Sequence, residues 1–462
     1  KNELYVRSKF REMSSSFFLK GKSRQVHKRK GEKIKKIKPK RQDVSNLENG
    51  HDSSGSDVDF KKFSDAEESE SDHETAEQKK LRLAKKYLQE IEKEEAKRAE
   101  LKEVDDDAIG KRLQRDYLEQ KGKLRVEVAD NYVAPAESDI RLIRAREHKL
   151  PLTCVCVSSD GQFAFTGSKC GTIVKWGIKE KRKLGSLTFK THSKYMNGCV
   201  SAVVLSSDTK YLASSDESKD VQIWDPITLK HVHTFRGHKD KVTGLVFRKN
   251  THELYTASKD RSIKIWSLDE MAYVESLFGH QSSITSIDAL TRERAISAGG
   301  RDASVRIWKI VEESQLIFNG PVGSLDEVKL LDEEHFVSGS DNGSLCVWSV
   351  LKKKPLCTVT EAHGSENNVP RWITSLATLL NSDVFASGSY DNFIRLWKVS
   401  DAYRKVSPMF SIEINGFVNS MHFTSDGTQL YAAIGQEHKS GRWFKVGSAK
   451  NGVLVVNFNI KS

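Results

Sequence analysis

This sequence of 462 residues lacks several features that would place it in a familiar class. No apolar run reaches the 18 residues that a membrane-spanning helix requires. The six cysteines form no C-x-x-C pair, and no second ligand pair has the spacing that a zinc site needs. The simplest interpretation is that they pack in the core of a protein in a reducing compartment. We also find no phosphate loop, no His-Glu-x-x-His pair and no glycine-rich dinucleotide fingerprint. We therefore expect no metal, no cofactor, no membrane span and no small-molecule substrate.

The composition points to a partly disordered chain. Hydrophobic residues make up 37% and charged residues 30%, which is low and high, respectively, for a globular protein. The excess charge lies in the first 75 residues, so we expect disorder there and a large core in the rest.

A tryptophan recurs after short alternating runs such as TIVKW and IKIW. Seven of the eight tryptophans follow this pattern, and the steps between them are 48, 42, 42, 40, 49 and 46 residues. These seven are Trp176, Trp224, Trp266, Trp308, Trp348, Trp397 and Trp443. The period is close to that of WD propeller blades, and each unit contains four runs with strand-like alternation. The spacing predicts an all-β, seven-bladed WD-repeat β-propeller over residues 139–462, with a disordered and helical N-terminal extension.

Polar residues also recur at fixed places in each unit. We interpret them as structural residues that lock the turns of a blade through buried hydrogen bonds. The set comprises His238, Asp260 and Trp266, then His280, Asp302 and Trp308, then Asp391 and Trp397, with Ser258 and Ser389 as the bridging hydroxyls. A catalytic Asp–His–Ser triad is the alternative, but a catalytic site is single and this pattern repeats.

Closure of the ring has two candidate strands. DIRLIRAREH (139–148) and VLVVNFNI (453–460) both have strand-like alternation. We favour the N-terminal stretch as the outer strand of the last blade, because its spacing to TCVCVS matches that of SLTFKTH in the next unit.

The N-terminal region has three parts. The run at 28–41 is typical of a nuclear or nucleolar localisation signal or of a nucleic-acid-binding arm, and a merely solvated tail is the alternative. Its basic residues are Lys28, Arg29, Lys30, Lys33, Lys35, Lys36, Lys38, Lys40 and Arg41. The acidic run at 52–77 holds serines with an acid three residues on, which are candidates for phosphorylation: Ser54, Ser56, Ser64, Ser69 and Ser71. We divide the region into a disordered tail at 1–75 and a helical extension at 76–132. The helical part has a thin apolar stripe, which indicates docking on a partner or on the side of the propeller; a lone charged helix or linker is the alternative.

The net charge of +12 matters if it is concentrated on one face. Generic blade geometry places seven residues on one rim of the propeller: Lys239, Lys241, Lys259, Arg301, Arg371, Trp372 and Tyr390. Cations bind phosphates and aromatic rings stack on unpaired bases, so this candidate RNA-binding rim fits RNA. Solvated surface charge is the alternative.

Several stretches resemble one family, the U3 small nucleolar RNA-interacting WD-repeat proteins. They are QKKLRLAKKYL (78–88), YVESLFGHQ (273–281), AGGRDASVRIWKIVEESQLIF (298–318), WITSLATLLNSDVFASGS (372–389) and GQEHKSGRWFKV (435–446). The resemblance implies a non-catalytic scaffold subunit of a nucleolar ribonucleoprotein. It would bind the box B/C region of U3 RNA with the kink-turn-binding core protein. It would act with other small-subunit processome proteins in pre-18S ribosomal RNA processing.

Two other classes stay open from the residues alone. One is a protein-interaction propeller of the ligase-adaptor or histone-binding type, which predicts partners insensitive to RNase. The other is an enzyme on a propeller scaffold, which would need clustered titratable residues in the central channel.

Overall fold

The computed structural model describes residues 125–188, 198–320, 323–400 and 402–460, with isolated helical positions between Arg82 and Leu118. The chain divides into two units, Lys1–Lys80 and Leu81–Ser462, and the described residues belong to the second. The runs at 28–41 and 52–77, with their candidate localisation and phosphorylation residues, lie outside the described residues. No helix among the described residues is long and apolar enough to cross a membrane.

The described residues form seven four-stranded antiparallel sheets, the blades of a β-propeller. Two short 3-10 helices, Ala129–Asn131 and Glu137–Asp139, alternate with β1 (Tyr132–Val133) and β2 (Ile140–Ile143). Blade 1 contains β3 (Leu152–Val157), β4 (Phe163–Ser168), β5 (Ile173–Gly177) and β6 (Arg182–Leu187). Blade 2 contains β7 (Ala202–Leu205), β8 (Leu212–Ser215), β9 (Val221–Trp224) and β10 (His231–Phe235). Blade 3 contains β11 (Val242–Phe247), β12 (Glu253–Ser258), β13 (Ser262–Ser267) and β14 (Ala272–Phe278).

The next two blades follow the same order. Blade 4 contains β15 (Ile284–Ala289), β16 (Arg294–Gly299), β17 (Ser304–Lys309) and β18 (Ser314–Asn319). Blade 5 contains β19 (Leu325–Leu330), β20 (His335–Ser340), β21 (Leu345–Ser349) and β22 (Lys352–Val359). A small hairpin of β23 (Ser365–Glu366) and β24 (Val369–Pro370) then precedes blade 6.

The last two blades complete the ring. Blade 6 contains β25 (Ser375–Thr378), β26 (Val384–Gly388), β27 (Phe393–Ser400) and β28 (Lys405–Glu413). Blade 7 is built from β29 (Phe417–Phe423), β30 (Gln429–Gly435) and β31 (Gly452–Asn457), with β2 as its outer strand. β32 (Asn459–Ile460) pairs with β1. The favoured N-terminal closing strand is thus confirmed, and VLVVNFNI supplies the third strand of the same blade.

The core lies between neighbouring blades, because each inner strand is covered on both faces. Leu152 and Trp176 of blade 1 pack with Tyr431 and Val455 of blade 7 in one hydrophobic cluster. The ring is therefore closed by burial as well as by strand pairing.

A segment ahead of the blades, residues 125–133, is tied to blade 6; we call it the strap. Asp383, fully buried, accepts the N–H groups of Val128 at 2.9 Å and Ala129 at 3.1 Å. Arg125 donates to the Val399 carbonyl at 2.7 Å. Part of the predicted helical extension is therefore a 3-10 turn and a strand that pack on the propeller.

Three blades contain the same chain of buried hydrogen bonds. In blade 3, Nδ1 of His238 lies 2.9 Å from Asp260, and its Nε2 lies 2.7 Å from Thr256 Oγ1, which also accepts Trp266 Nε1–H at 3.0 Å. The bridging hydroxyls of blades 4 and 6 are Ser297 and Ser387.

The assignment of Ser258 and Ser389 as bridging hydroxyls is wrong. Ser258 lies at the end of β12, where its Oγ donates to the Lys241 carbonyl at 3.0 Å. Ser389 likewise donates to the Trp372 carbonyl at 2.7 Å. Two residues along a strand keep the same face but move about 6.6 Å, so these serines stabilise the turn and the residue two before each one bridges the blade.

The assignment of Trp443 to a blade strand, which its spacing predicts, is also wrong. Trp443 lies outside the blade strands and is 69% exposed. The third strand of blade 7 is β31, which lacks a tryptophan.

Candidate nucleic-acid interface

The His–Asp pairs mark one rim of the propeller, because each joins the loop before the first strand of a blade to the loop between its second and third strands. We call this the upper rim. The corresponding loop of blade 7, residues 436–451, lies between β30 and β31. It is named the blade-7 loop here.

Six aromatic rings meet on the upper rim across blades 6 and 7. Trp372 lies 5.5 Å from both Tyr390 and His438, and 6.4 Å from Trp443, between ring centroids. Tyr390 and Phe417 both contact Phe444, at 5.6 and 5.9 Å. We call this set the aromatic cluster: Trp372, Tyr390, Phe417, His438, Trp443 and Phe444.

The outer members of the aromatic cluster remain accessible. Trp443 is 69% and Phe444 51% exposed, whereas Phe417 is fully buried and anchors the set to β29. Large exposed aromatic rings of this kind offer flat faces on which unpaired bases stack.

Hydrogen bonds hold the blade-7 loop in place. Asn419 donates to the Glu437 carbonyl at 3.0 Å and accepts the Lys439 N–H at 2.8 Å. Gln436 donates from its side chain to the Ala449 carbonyl at 2.8 Å. His438, Trp443 and Phe444 therefore lie on a loop whose backbone is held in a defined conformation.

Cations surround the aromatic cluster, but most are paired. Glu437 lies 3.5 Å from Lys169 and 3.2 Å from Arg442, and Lys439 reaches Glu327 of β19 at 3.0 Å. Arg371 lies 3.6 Å from Glu366. A phosphate would have to compete with a carboxylate for each of these cations. The surface therefore carries positive charge but is not uniformly basic.

Burial alters the titration of two cluster members. Burial, together with the neighbouring charges of Lys439 and Lys169, lowers the pKa of His438 to about 3. Burial raises the pKa of Tyr390, and Glu366 adds to the rise. Both rings are therefore neutral at physiological pH and act as stacking surfaces.

The residues of the predicted rim fall into two groups. Arg371, Trp372 and Tyr390 are brought together in the aromatic cluster or next to it. Lys239, Lys241 and Lys259 lie on blade 3, where the Lys259 N–H donates to the Lys241 carbonyl at 2.9 Å, and Arg301 is exposed on blade 4.

Sequence reasoning identifies Trp372 and Tyr390 and misses the other four members of the aromatic cluster. The repeat spacing of Trp443 assigns its stretch, with His438 and Phe444, to a repeat unit. The stretch GQEHKSGRWFKVGSAKNG has few alternating apolar residues and many turn formers, whereas VLVVNF has clear strand character. That contrast was the available signal.

Comparisons with known proteins agree with this architecture. The repeat described as "WD domain, G-beta repeat" matches residues 141–177, 186–225, 229–267, 272–309 and 354–398. The mouse protein named U3 small nucleolar RNA-interacting protein 2 is 49% identical over 396 residues, which is 83% of this chain and 82% of the mouse protein. The chain belongs to this family.

Two further similarities extend the comparison. A solved structure titled "Crystal structure of RRP9 WD40 repeats" is 44% identical with a TM-score of 0.68, and covers 71% of this chain and 99% of that one. Ribosomal RNA-processing protein 9 of Saccharomyces cerevisiae is 34% identical over 164 residues, 28% of this chain and 29% of that protein.

The repeat match omits the two atypical blades. Blade 5 follows Gly320-Pro321 where blades 1, 3, 4 and 6 have a histidine, and blade 7 has no tryptophan in its third strand. In this family member, the blade that departs furthest from the repeat carries four of the six members of the aromatic cluster.

Proposed function

We propose that the protein is a non-catalytic RNA-binding and scaffold subunit of the U3 small nucleolar ribonucleoprotein. It recognises the box B/C region of U3 RNA and acts in pre-18S ribosomal RNA processing within the small-subunit processome. The names of the relatives support the ribonucleoprotein and the process, and the aromatic cluster is the observation that supports direct RNA contact.

The aromatic cluster suits a splayed single strand or a kinked junction. Trp443 and Phe444 present accessible rings, and Arg442 and Lys445 beside them are exposed. Stacking is tolerant of base identity, while cations bind the backbone, so the arrangement combines both contributions.

The basic residues of blades 3 and 4 extend the same proposal. Lys239, Lys259 and Arg301 are exposed on the upper rim and would bind phosphates of RNA that continues across it. Charge reversal of Lys259 and Arg301 together is expected to weaken RNA binding and to reduce its salt dependence. Unchanged binding by the soluble double variant would restrict the contact to the aromatic cluster.

A scaffold role fits the chemistry of the titratable groups. The His–Asp pairs of blades 3, 4 and 6 are built into the blades themselves, each with a bridging hydroxyl and a tryptophan. Among the described residues, no group of three or more metal-ligating side chains converges. We propose a nuclear and nucleolar location, with the kink-turn-binding core protein and other processome proteins as partners.

The decisive test is ultraviolet crosslinking of the tagged protein in cells, followed by sequencing of the bound RNA. We expect U3 RNA with crosslinks at box B/C and a crosslinked peptide from the blade-7 loop. Recovery of no particular RNA, with an RNase-insensitive set of protein partners, would favour a protein-interaction propeller instead.

A matched pair of variants separates stacking from general surface damage. Trp443→Ala removes a 69% exposed ring from the aromatic cluster, and Phe278→Ala removes an equally exposed ring from β14. One lost stack costs about 1–3 kcal/mol, so Trp443→Ala should weaken RNA binding by roughly 5- to 150-fold. Equal affinities of the two variants would count against the aromatic cluster.

A further inference from the structure

Blade 1 carries an altered version of the buried hydrogen-bond chain. Nε2 of His148 lies 2.9 Å from Thr166 Oγ1, which also accepts Trp176 Nε1–H at 2.8 Å, as in the regular blades. The place of the aspartate, six residues before the tryptophan, is taken by Cys170. His148 is 6% exposed, and its Nδ1, which faces the aspartate in the other blades, has no hydrogen-bond partner.

The thiol of Cys170 is surrounded by polar groups and is only partly buried. Its Sγ lies 2.8 Å from Ser168 Oγ and 3.4 Å from Thr172 Oγ1, and the S–H donates to the Glu147 carbonyl at 3.3 Å. An ionised sulfur would accept hydrogen bonds from both hydroxyls and supply the missing partner of His148 Nδ1. The site can therefore hold a thiolate, although ionisation gives up the hydrogen bond that the thiol donates to the Glu147 carbonyl.

The titration of the cysteines follows from these surroundings. Burial tends to raise the pKa of Cys170, but the adjacent His148 imidazole, which can donate to an ionised sulfur, and the hydroxyls of Ser168 and Thr172 outweigh it and lower the pKa to about 6. Burial raises the pKa values of Cys154, Cys156, Cys199 and Cys346.

We propose that Cys170 is a nucleophilic modification site that exchanges with low-molecular-weight disulfides. In the exchange the Cys170 proton passes to Nδ1 of His148 or to solvent. The thiolate attacks one sulfur of the disulfide, a new S–S bond forms, and the other sulfur leaves as a thiolate. The disulfide is the oxidant, and a thiol reductant reverses the step.

The position of Cys170 gives such a modification a route to the upper rim. Its neighbour Lys169 donates from Nζ to the Gly441 carbonyl at 3.0 Å and pairs with Glu437, so Lys169 ties blade 1 to the blade-7 loop. An adduct on Cys170 would displace this tie. This consequence rests on the proposed function, whereas the reactivity of Cys170 does not.

The pH readout depends on the titratable and charged groups near the thiol. On its own blade these are His148, Glu147 with its partner Lys183, and Lys169; from the neighbouring blades they are Cys199 and Glu437. Of these groups, His148 is the one whose Nδ1 is directed to the position of Cys170, where the regular blades have an aspartate.

The first experiment reacts the full chain with dithiobis(nitrobenzoate) from pH 7 to pH 9 and identifies the labelled peptide by mass spectrometry. With a pKa near 6, the rate at Cys170 should change by less than about 1.5-fold, whereas a thiol of pKa 8.5 speeds up about 25-fold. Cys170→Ser should lose the fast phase, and Cys199→Ser should keep it.

The role of His148 is tested by His148→Gln, which keeps a group able to bond Thr166. In this variant the Cys170 rate should rise steeply between pH 7 and pH 9. Absence of a fast phase at Cys170, or a 25-fold rise with pH in the unaltered protein, would overturn the proposal. If His148→Gln does not fold, the pH profile of the unaltered protein still decides.

The second experiment measures U3 RNA binding before and after treatment with glutathione disulfide. We expect the treated protein to lose affinity several-fold and to regain it with dithiothreitol, while Cys170→Ser is insensitive. If the untreated protein does not bind RNA, the proposed function fails while the thiol chemistry stands. If treatment modifies Cys170 without changing affinity, the route through Lys169 is refuted.

Discussion

The contribution of the buried histidine–hydroxyl contact to the free energy of unfolding can be measured by comparing two blades. In blade 4, Ser297 Oγ contacts His280 Nε2 at 2.8 Å and accepts Trp308 Nε1–H at 2.8 Å. In blade 5, Ser338 Oγ accepts Trp348 Nε1–H at 2.9 Å, and the position of the histidine is a proline. Both serines are essentially fully buried, so Ser→Ala removes the same atoms from equivalent places.

The expected difference follows from the groups left without a partner. Each buried donor or acceptor that loses its partner costs about 1–3 kcal/mol. Ser338→Ala orphans one tryptophan N–H, and Ser297→Ala orphans a tryptophan N–H and a histidine nitrogen. Ser297→Ala should therefore lower the free energy of unfolding by about 1–3 kcal/mol more than Ser338→Ala.

Urea unfolding of the full chain, followed by tryptophan fluorescence under conditions where refolding is complete, measures both values. A cycle with His280→Ala isolates the shared term, because Ser297→Ala should cost less when the histidine is already gone. Equal losses in the two serine variants, or strict additivity in the cycle, would show that the His280–Ser297 contact contributes nothing.

Three other predictions test different parts of the molecule. Burial lowers the pKa of His438 to about 3, whereas a histidine in the unfolded chain titrates near 6.5, so the unfolded chain binds more protons between these pH values. The neutral His438 therefore contributes on the order of 3 kcal/mol, after allowing for partial exposure, and this contribution is complete above pH 6.5 and is lost as pH falls towards 3. Urea unfolding at a series of pH values should show a steeper fall of the free energy of unfolding with acid for the unaltered protein than for His438→Gln. Glu327→Gln removes the ion pair with Lys439, which should lower the free energy of unfolding by about 1 kcal/mol or less. Because Lys439 lies on the blade-7 loop, the variant should loosen this loop and bind RNA about 2- to 5-fold more weakly. Equal RNA affinity would refute a role of Glu327 in positioning the loop. Asp383→Ala removes two charge-assisted hydrogen bonds to the strap, so amide hydrogen exchange at residues 128–129 should accelerate by roughly 10-fold or more while the blades stay protected, and unchanged exchange would mean that other contacts suffice.

The repeat architecture could be predicted from the sequence because its determinants are local. A blade is a chain-continuous run of four strands, so alternation, turn residues and the spacing of Trp266, Trp308 and Trp397 are visible without knowledge of distant contacts. The same locality makes the structural roles of His238 and Asp260 predictable, because both residues belong to one repeat unit; the structure places them 2.9 Å apart.

Tertiary structure decided what depends on contacts between distant residues. The outer strand of blade 7 is β2, paired with residues more than 300 positions away, and spacing alone left two candidates. Trp443 kept the repeat spacing but belongs to an exposed loop, because β31 competes for the third-strand position and pairs with β30. The aromatic cluster joins Trp372 to that loop across two blades. Only the structure shows that Nδ1 of His148 has no hydrogen-bond partner, because Cys170 takes the place of the aspartate. Periodicity therefore determined the blades, and packing between blades determined the surfaces and sites that they carry.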